Sequence, residues 1–219
     1  MRGYNAAGEP TRRSQGVLND LYITCVALKE KDETVLIYTM DLIAAEDSFC
    51  EPARIAASEA TGIPAEAVIL HCTHTHTAPP LIDPDMPEAL NGDFSSVDPK
   101  KEKAYYEFVR TRLCDAAKFA LADLKEAKMG YGIGQAPNIA FVRRFRMKDG
   151  SVRTNPGVNN PDVLEPIGQV DECVNVLRFD REGADTLVLM NFGMHPDCVG
   201  GNQISADWPG FARRTVETA

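Results

Sequence analysis

Nothing in the 219-residue sequence stays apolar long enough to cross a membrane. The longest apolar-rich runs reach about seven residues, as at 186–192, against the ~20 that a spanning helix requires. Met1 is followed by Arg2-Gly3-Tyr4 with no apolar stretch behind it, so no secretory leader is expected. There is no excess of positive charge: 23 Lys and Arg stand against 32 Asp and Glu, a formal net charge of −9. A nucleic-acid backbone is therefore excluded as the main partner, because few counterions could be released on binding. The six cysteines form no CxxC pair. They read as mostly buried thiols of a reducing compartment, and a cytoplasmic location is expected. Walker, GxGxxG, GxSxG and HExxH patterns are all missing. That removes phosphate-loop enzymes, the usual nicotinamide enzymes, elbow-type esterases and zincins.

What is present is a globular composition, 44% hydrophobic and 25% charged. At roughly 100–200 residues per domain, the length suits one layered domain over 1–219. Strands are expected at Leu21–Lys29 and Thr34–Tyr38, joined as a hairpin, and at Val68–Cys72. Asp47-Ser48 should cap a helix running to Thr61, with Pro52 in its first turn and Gly62 as its stop. A long loop, Thr73–Pro99, precedes a helix from Lys100 to about Lys128 with an apolar stripe. Met129–Gly134 and Asn138–Phe145 read as strands, and Asp149-Gly150 as a hairpin turn. Thr154–Gln169 reads as a loop. Cys173–Phe179 and Thr186–Phe192 form a further strand pair, and a helix starts near Asp207. Strands and hairpins interleaved with helices imply a mixed α/β class, a mixed sheet flanked by helices. The loop-like start and the uncapped end suggest a piece of a longer chain.

The chemistry concentrates in four histidines. Three fall within His71-Cys72-Thr73-His74-Thr75-His76, and the fourth is His195 in Asn191-Phe192-Gly193-Met194-His195-Pro196. Both groups follow an expected strand, and ligands of α/β sheets bind beyond the carboxyl ends of strands. In extended backbone His74 and His76 share one face about 7 Å apart. Imidazole suits zinc, and a catalytic zinc takes about three protein ligands and an open position. His71 reads as a core or supporting residue. Cys72 is a weaker ligand candidate. Arg143, in Val142-Arg143-Arg144-Phe145-Arg146, could bind a substrate oxygen or simply belong to a solvated strand edge. Ser205 is a candidate N-cap. Asp207, in Ser205-Ala206-Asp207-Trp208-Pro209-Gly210, suits a helix first turn or a role orienting a metal-bound histidine. Asp41, beyond the strand that ends near Met40, points to the same role.

Three of these segments, in order, resemble the neutral ceramidase family: Thr73-His74-Thr75-His76-Thr77-Ala78-Pro79, Asn191-Phe192-Gly193-Met194-His195-Pro196 and Ser205-Ala206-Asp207-Trp208-Pro209-Gly210. That family carries Thr-His-Thr-His-Ser-Gly-Pro, Asn-Phe-Ala-x-His-Pro and Ser-Ala-Asp-Tyr-Pro-Gly. Between them it has an Asn-Arg pair and an Asn-Pro, where this sequence has Val142-Arg143 and Asn155-Pro156. The resemblance implies the N-terminal α/β domain of a zinc amidase. By it, His74 and His195 are zinc ligands, and His76 and Arg143 contact the scissile amide and its developing oxyanion. It implies a water activated for attack on the amide of a ceramide-like lipid, releasing a fatty acid and a sphingoid amine. The family's further ligands, a Glu and a Tyr, lie in a later part of its sequence, so the rest of the chain is expected to be needed. Two other readings stand beside it. One is a phosphoester hydrolase using Asp41, His74, His195 and Asp207 as metal ligands. The other is a non-catalytic metal-binding domain.

Overall fold

Alternate residues of one strand organise the core. Leu36, Tyr38 and Met40 are fully buried, while their neighbours face outward, the period-2 pattern of a sheet with one covered face. A computed structural model describes residues 13–79, 81 and 98–219. The chain divides into two compact units. The first holds the described residues up to Leu124 together with Pro196–Ala219, and the second is Lys125–His195. Helices and parallel and antiparallel strand pairs occur together, a mixed α/β fold.

In the first unit, β1 (Gly16–Val17) leads to β2 (Ile23–Glu30) and β3 (Glu33–Met40), an antiparallel hairpin as expected. Helix α1 (Asp47–Thr61) connects β3 to β4 (Val68–Cys72), which pairs parallel to β3 from Leu36↔Val68 to Met40↔Cys72. Phe49, Ala53 and Ala57 recur every fourth residue and bury one face of α1. Helix α2 (Pro99–Ala122) does the same with Tyr106, Val109, Leu113 and Ala117. Asp98 caps α2 by accepting from the Lys100 N–H. The Tyr38 hydroxyl donates to the Leu113 carbonyl (3.0 Å), and burial pushes its pKa up, so it remains a donor.

Sequence reading placed the start of α1 one residue late. Its N-cap is Glu46, which makes no side-chain capping bond, and Asp47 is already helical. Pro52 therefore sits in the second turn, where its missing N–H leaves the Ser48 carbonyl without its helical donor. The Tyr106 hydroxyl supplies that donor at 3.1 Å, and its ring packs edge-on against Phe49. Tyr106→Phe is accordingly expected to cost about 1–2 kcal/mol in chemical denaturation. The cost should shrink when Pro52→Ala restores the helical N–H, and an undiminished cost in that background would contradict this pairing. The stop at Gly62 is as expected, with φ 75° and its N–H bonded to the Ser58 carbonyl.

In the second unit, β5 (Ala127–Gln135), β9 (Cys173–Arg181) and β10 (Leu187–Phe192) form an antiparallel sheet with β9 at its centre. The β9–β10 hairpin agrees with the sequence reading. Helix α2 ends six residues earlier than expected, at Ala122, because 127–128 pair with Arg181 and Asp180 of β9. Strand pairing here outweighs local helix propensity. Strand β6 (Arg144–Met147) is flanked by β7 (Val152–Thr154) and β8 (Val163–Pro166), so it is a central strand and not an edge. Of the strand expected over Asn138–Phe145 only Arg144 and Phe145 are in a strand, β6; 137–139 turn, with Asn138 at φ 62°. Strand β8 falls inside the expected 154–169 loop. The Asp149-Gly150 turn between β6 and β7 is as expected.

The first unit closes with β11 (Gln203–Ile204), parallel to β1, and helix α3 (Asp207–Glu217). Most of the expected 73–99 loop lies outside the described residues. Among the described residues no helix is long and apolar enough to cross a membrane.

Candidate metal centre

The ladder between β3 and β4 does not stop at Cys72. The Thr73 N–H donates to the Met40 carbonyl and the His74 N–H to the Leu42 carbonyl, both at 2.9 Å. His74 then turns the chain sharply, at φ 70°. A side chain in this left-handed region is strained and persists where its surroundings hold it. One such hold is the His74 ring, whose Nδ1–H donates to the Ile43 carbonyl at 2.6 Å. A carbonyl only accepts, so in this bond Nδ1 carries the proton. That is the tautomer a metal ligand needs, fixed by a backbone oxygen.

The turn also changes the expected spacing. The His74 and His76 rings stand edge to face with centroids 5.0 Å apart, closer than the ~7 Å of extended backbone. On either side of His76, Thr75 and Thr77 are fully buried. Their hydroxyls both donate to the Ser205 carbonyl, at 2.7 and 3.0 Å, and the Ser205 N–H donates to the Thr77 carbonyl at 3.1 Å. The alternation Thr-His-Thr-His-Thr thus separates a buried hydroxyl row from an imidazole row.

His195 is the last residue before the chain re-enters the first unit at the buried Pro196. His74 and His76 of the first unit thus present two imidazoles side by side, and His195 offers a third at the end of the second unit. Three imidazoles, one with a fixed tautomer, match the donor chemistry of zinc.

The two aspartates are engaged by donors of the protein itself. Asp41, fully buried, accepts from the Tyr22 N–H (2.9 Å), from the Thr73 hydroxyl (3.4 Å) and from Arg213 of α3 (2.9 Å). Arg213 also stacks over the Tyr22 ring. Asp207, equally buried, has φ 55° and accepts from the N–H groups of Cys198 (3.0 Å), Val199 (2.8 Å) and Trp208 (2.6 Å). It therefore holds the segment that follows His195. Ser205 is not the N-cap of α3, since that position is Ala206, but its Oγ accepts from the Asp207 N–H at 3.0 Å.

The remaining candidates are Arg143, His71 and Cys72. Arg143 stands in the second unit just before β6, exposed, with its carbonyl accepting from the Asn155 N–H. Arg146 pairs with Glu165 across β6 and β8. His71 is exposed, because strand alternation turns it outward, so it is not a core residue. Cys72 packs against the core, and burial pushes its thiol up to about 12, so it offers no thiolate near neutrality. All six cysteines are free, but none is fully buried and Cys198 is exposed. The residues that sequence reading did not single out are Asn19, Thr75, Thr77 and Arg213. Only the two threonines carried a signal, the strict alternation with histidine.

No family model and no curated protein matches the sequence. Solved structures do. A ceramidase complexed with C2 superposes with a TM-score of 0.60 at 19% identity, covering 83% of this chain and 27% of that one. The neutral ceramidase of Pseudomonas aeruginosa gives a TM-score of 0.56 at 18% identity, with the same coverages. These likenesses show a shared fold. The chain spans about a quarter of the length of the ceramidases it matches, 27% of each.

Proposed function

We propose that this chain carries the histidine part of a zinc centre in an enzyme of the neutral ceramidase family that hydrolyses a ceramide-like N-acyl amide. The observation that carries the reading is the His74–His76 pair, its rings 5.0 Å apart and the His74 Nδ1 held by a backbone carbonyl, on a fold shared with ceramidases. His74 and His195 are the proposed ligands. His76 is assigned to the scissile amide, and Arg143, through the motif resemblance, offers guanidinium donors to the negative charge that builds on the carbonyl oxygen. Bound zinc supplies Lewis acidity towards water and carbonyl oxygen. The rest of a longer chain, with its own ligands, is proposed to complete the centre.

The phosphoester reading is disfavoured by the same geometry. It needs Asp41 and Asp207 as ligands, yet the oxygens of Asp41 are engaged by Arg213, Tyr22 and Thr73, and those of Asp207 by three backbone N–H groups. Neither carboxylate has the freedom a two-metal site requires.

The test is the release of fatty acid from an N-acyl sphingoid substrate by the full-length protein, with a phosphodiester as the comparison. Amide turnover that disappears with a chelator and returns with zinc is expected. Phosphodiester turnover alone would overturn the assignment.

A further inference from the structure

We propose that Asn19 is a positioning residue for the metal centre, fixing through Ser205 the loop that bears His74 and His76 against the segment that follows His195. This rests on the metal-binding reading above. Asn19 precedes β2 and is part of neither loop, yet its amide is almost wholly buried. Its Oδ1 accepts from the Ala206 N–H at 2.7 Å and from the Ser205 hydroxyl at 3.3 Å, and its Nδ2 donates to the Ser205 Oγ at 3.1 Å. One side chain thus spends its hydrogen bonds on a single dipeptide.

That dipeptide is the joint between the loops. On one side the Ser205 carbonyl and N–H hold Thr75 and Thr77, the two neighbours of His76. On the other side the Ser205 Oγ holds the Asp207 N–H, and the Asp207 carboxylate holds the N–H groups of Cys198 and Val199, a few residues beyond His195. A Cβ on Gly210 would come within 2.6 Å of the Ala206 Cβ, so helix α3 already touches it. Asp207 is held in the left-handed region at φ 55°, a strain that persists only while its surroundings over-determine it. Removing the Asn19 amide frees Ser205 and Ala206. Asp207 can then relax, and with it the backbone at 198–199.

Partners that orient metal ligands are typically worth 10–100-fold in metal affinity. In Asn19→Ala, zinc affinity measured by chelator competition should weaken by about that factor. Asn19→Asp, which keeps the acceptor for the Ala206 N–H, should recover part of it. In the metal-free protein, hydrogen exchange in Asn19→Ala should speed up at both 73–79 and 196–207 and stay unchanged at 23–40. Affinity within twofold of the parent, or faster exchange confined to 204–207, would overturn the proposal. A parent protein that takes up no zinc would overturn the metal reading instead, and the exchange pattern would then decide the positioning role by itself. Should Asn19→Ala not fold, Thr75→Val must weaken zinc binding and Thr75→Ser restore it, and equal affinities in that pair would be decisive against it.

Discussion

Replacing His74 or His195 with alanine is expected to strip the protein of its zinc and of its amidase activity, while His76→Ala keeps the metal and loses the activity. Structural zinc sites are worth ~10–16 kcal/mol across four ligands, so one imidazole accounts for about 3 kcal/mol, or more than a hundredfold in affinity. His74 should show the larger loss, because its ring is pre-oriented by the Ile43 carbonyl. The His76 ring stands against that of His74, and Thr75 and Thr77 hold the backbone on either side of it. Metal content and turnover measured on the three variants separate ligand from catalytic group. Loss of zinc in all three would make the centre a three-histidine site and remove His76 from the catalytic assignment.

The second large effect concerns Asp41 and Arg213. Arg213→Met is expected to destabilise the protein by about 3–5 kcal/mol, since it leaves a buried carboxylate without its cation. At ~2–4 °C per kcal/mol for a chain of this size, the melting temperature should fall by roughly 10 °C. Asp41→Asn combined with Arg213→Met should cost less than Arg213→Met alone. The amide still accepts from the Tyr22 N–H and no unpaired charge remains. Simple additivity in that double-mutant cycle would contradict the pairing. The same bonds tie the end of β3 to α3, so zinc affinity should weaken along with stability. Asp41 also bonds Thr73, next to His74.

The parts of the structure that were legible in the sequence are those set by local pattern. Alternation and turn residues gave the β2–β3 and β9–β10 hairpins, the Gly62 stop and the Asp149-Gly150 turn. The two histidine segments were legible for a similar reason, since each follows an apolar strand. What escaped is non-local or strained. Asn19 meets Ser205 across 186 residues and Arg213 meets Asp41 across 172, and no periodicity announces such pairs. The left-handed turn at His74 breaks the regular spacing on which the ~7 Å expectation rested, and the one at Asp207 has no local signal. Strand β8 and the early end of α2 were decided by pairing partners, not by propensity. Pro52 shows the same lesson on a smaller scale, since its place in the second turn of α1 depends on a hydroxyl from another helix.

The most direct measurement is X-ray absorption at the zinc edge on the purified full-length protein loaded with zinc and freed of excess. The expected result is about one zinc per chain with imidazole nitrogens bound at ~2.0–2.1 Å, and loss of that signal in His74→Ala and His195→Ala. A protein that takes up no zinc, or one whose zinc has no imidazole neighbours, would contradict the metal centre built from His74 and His195.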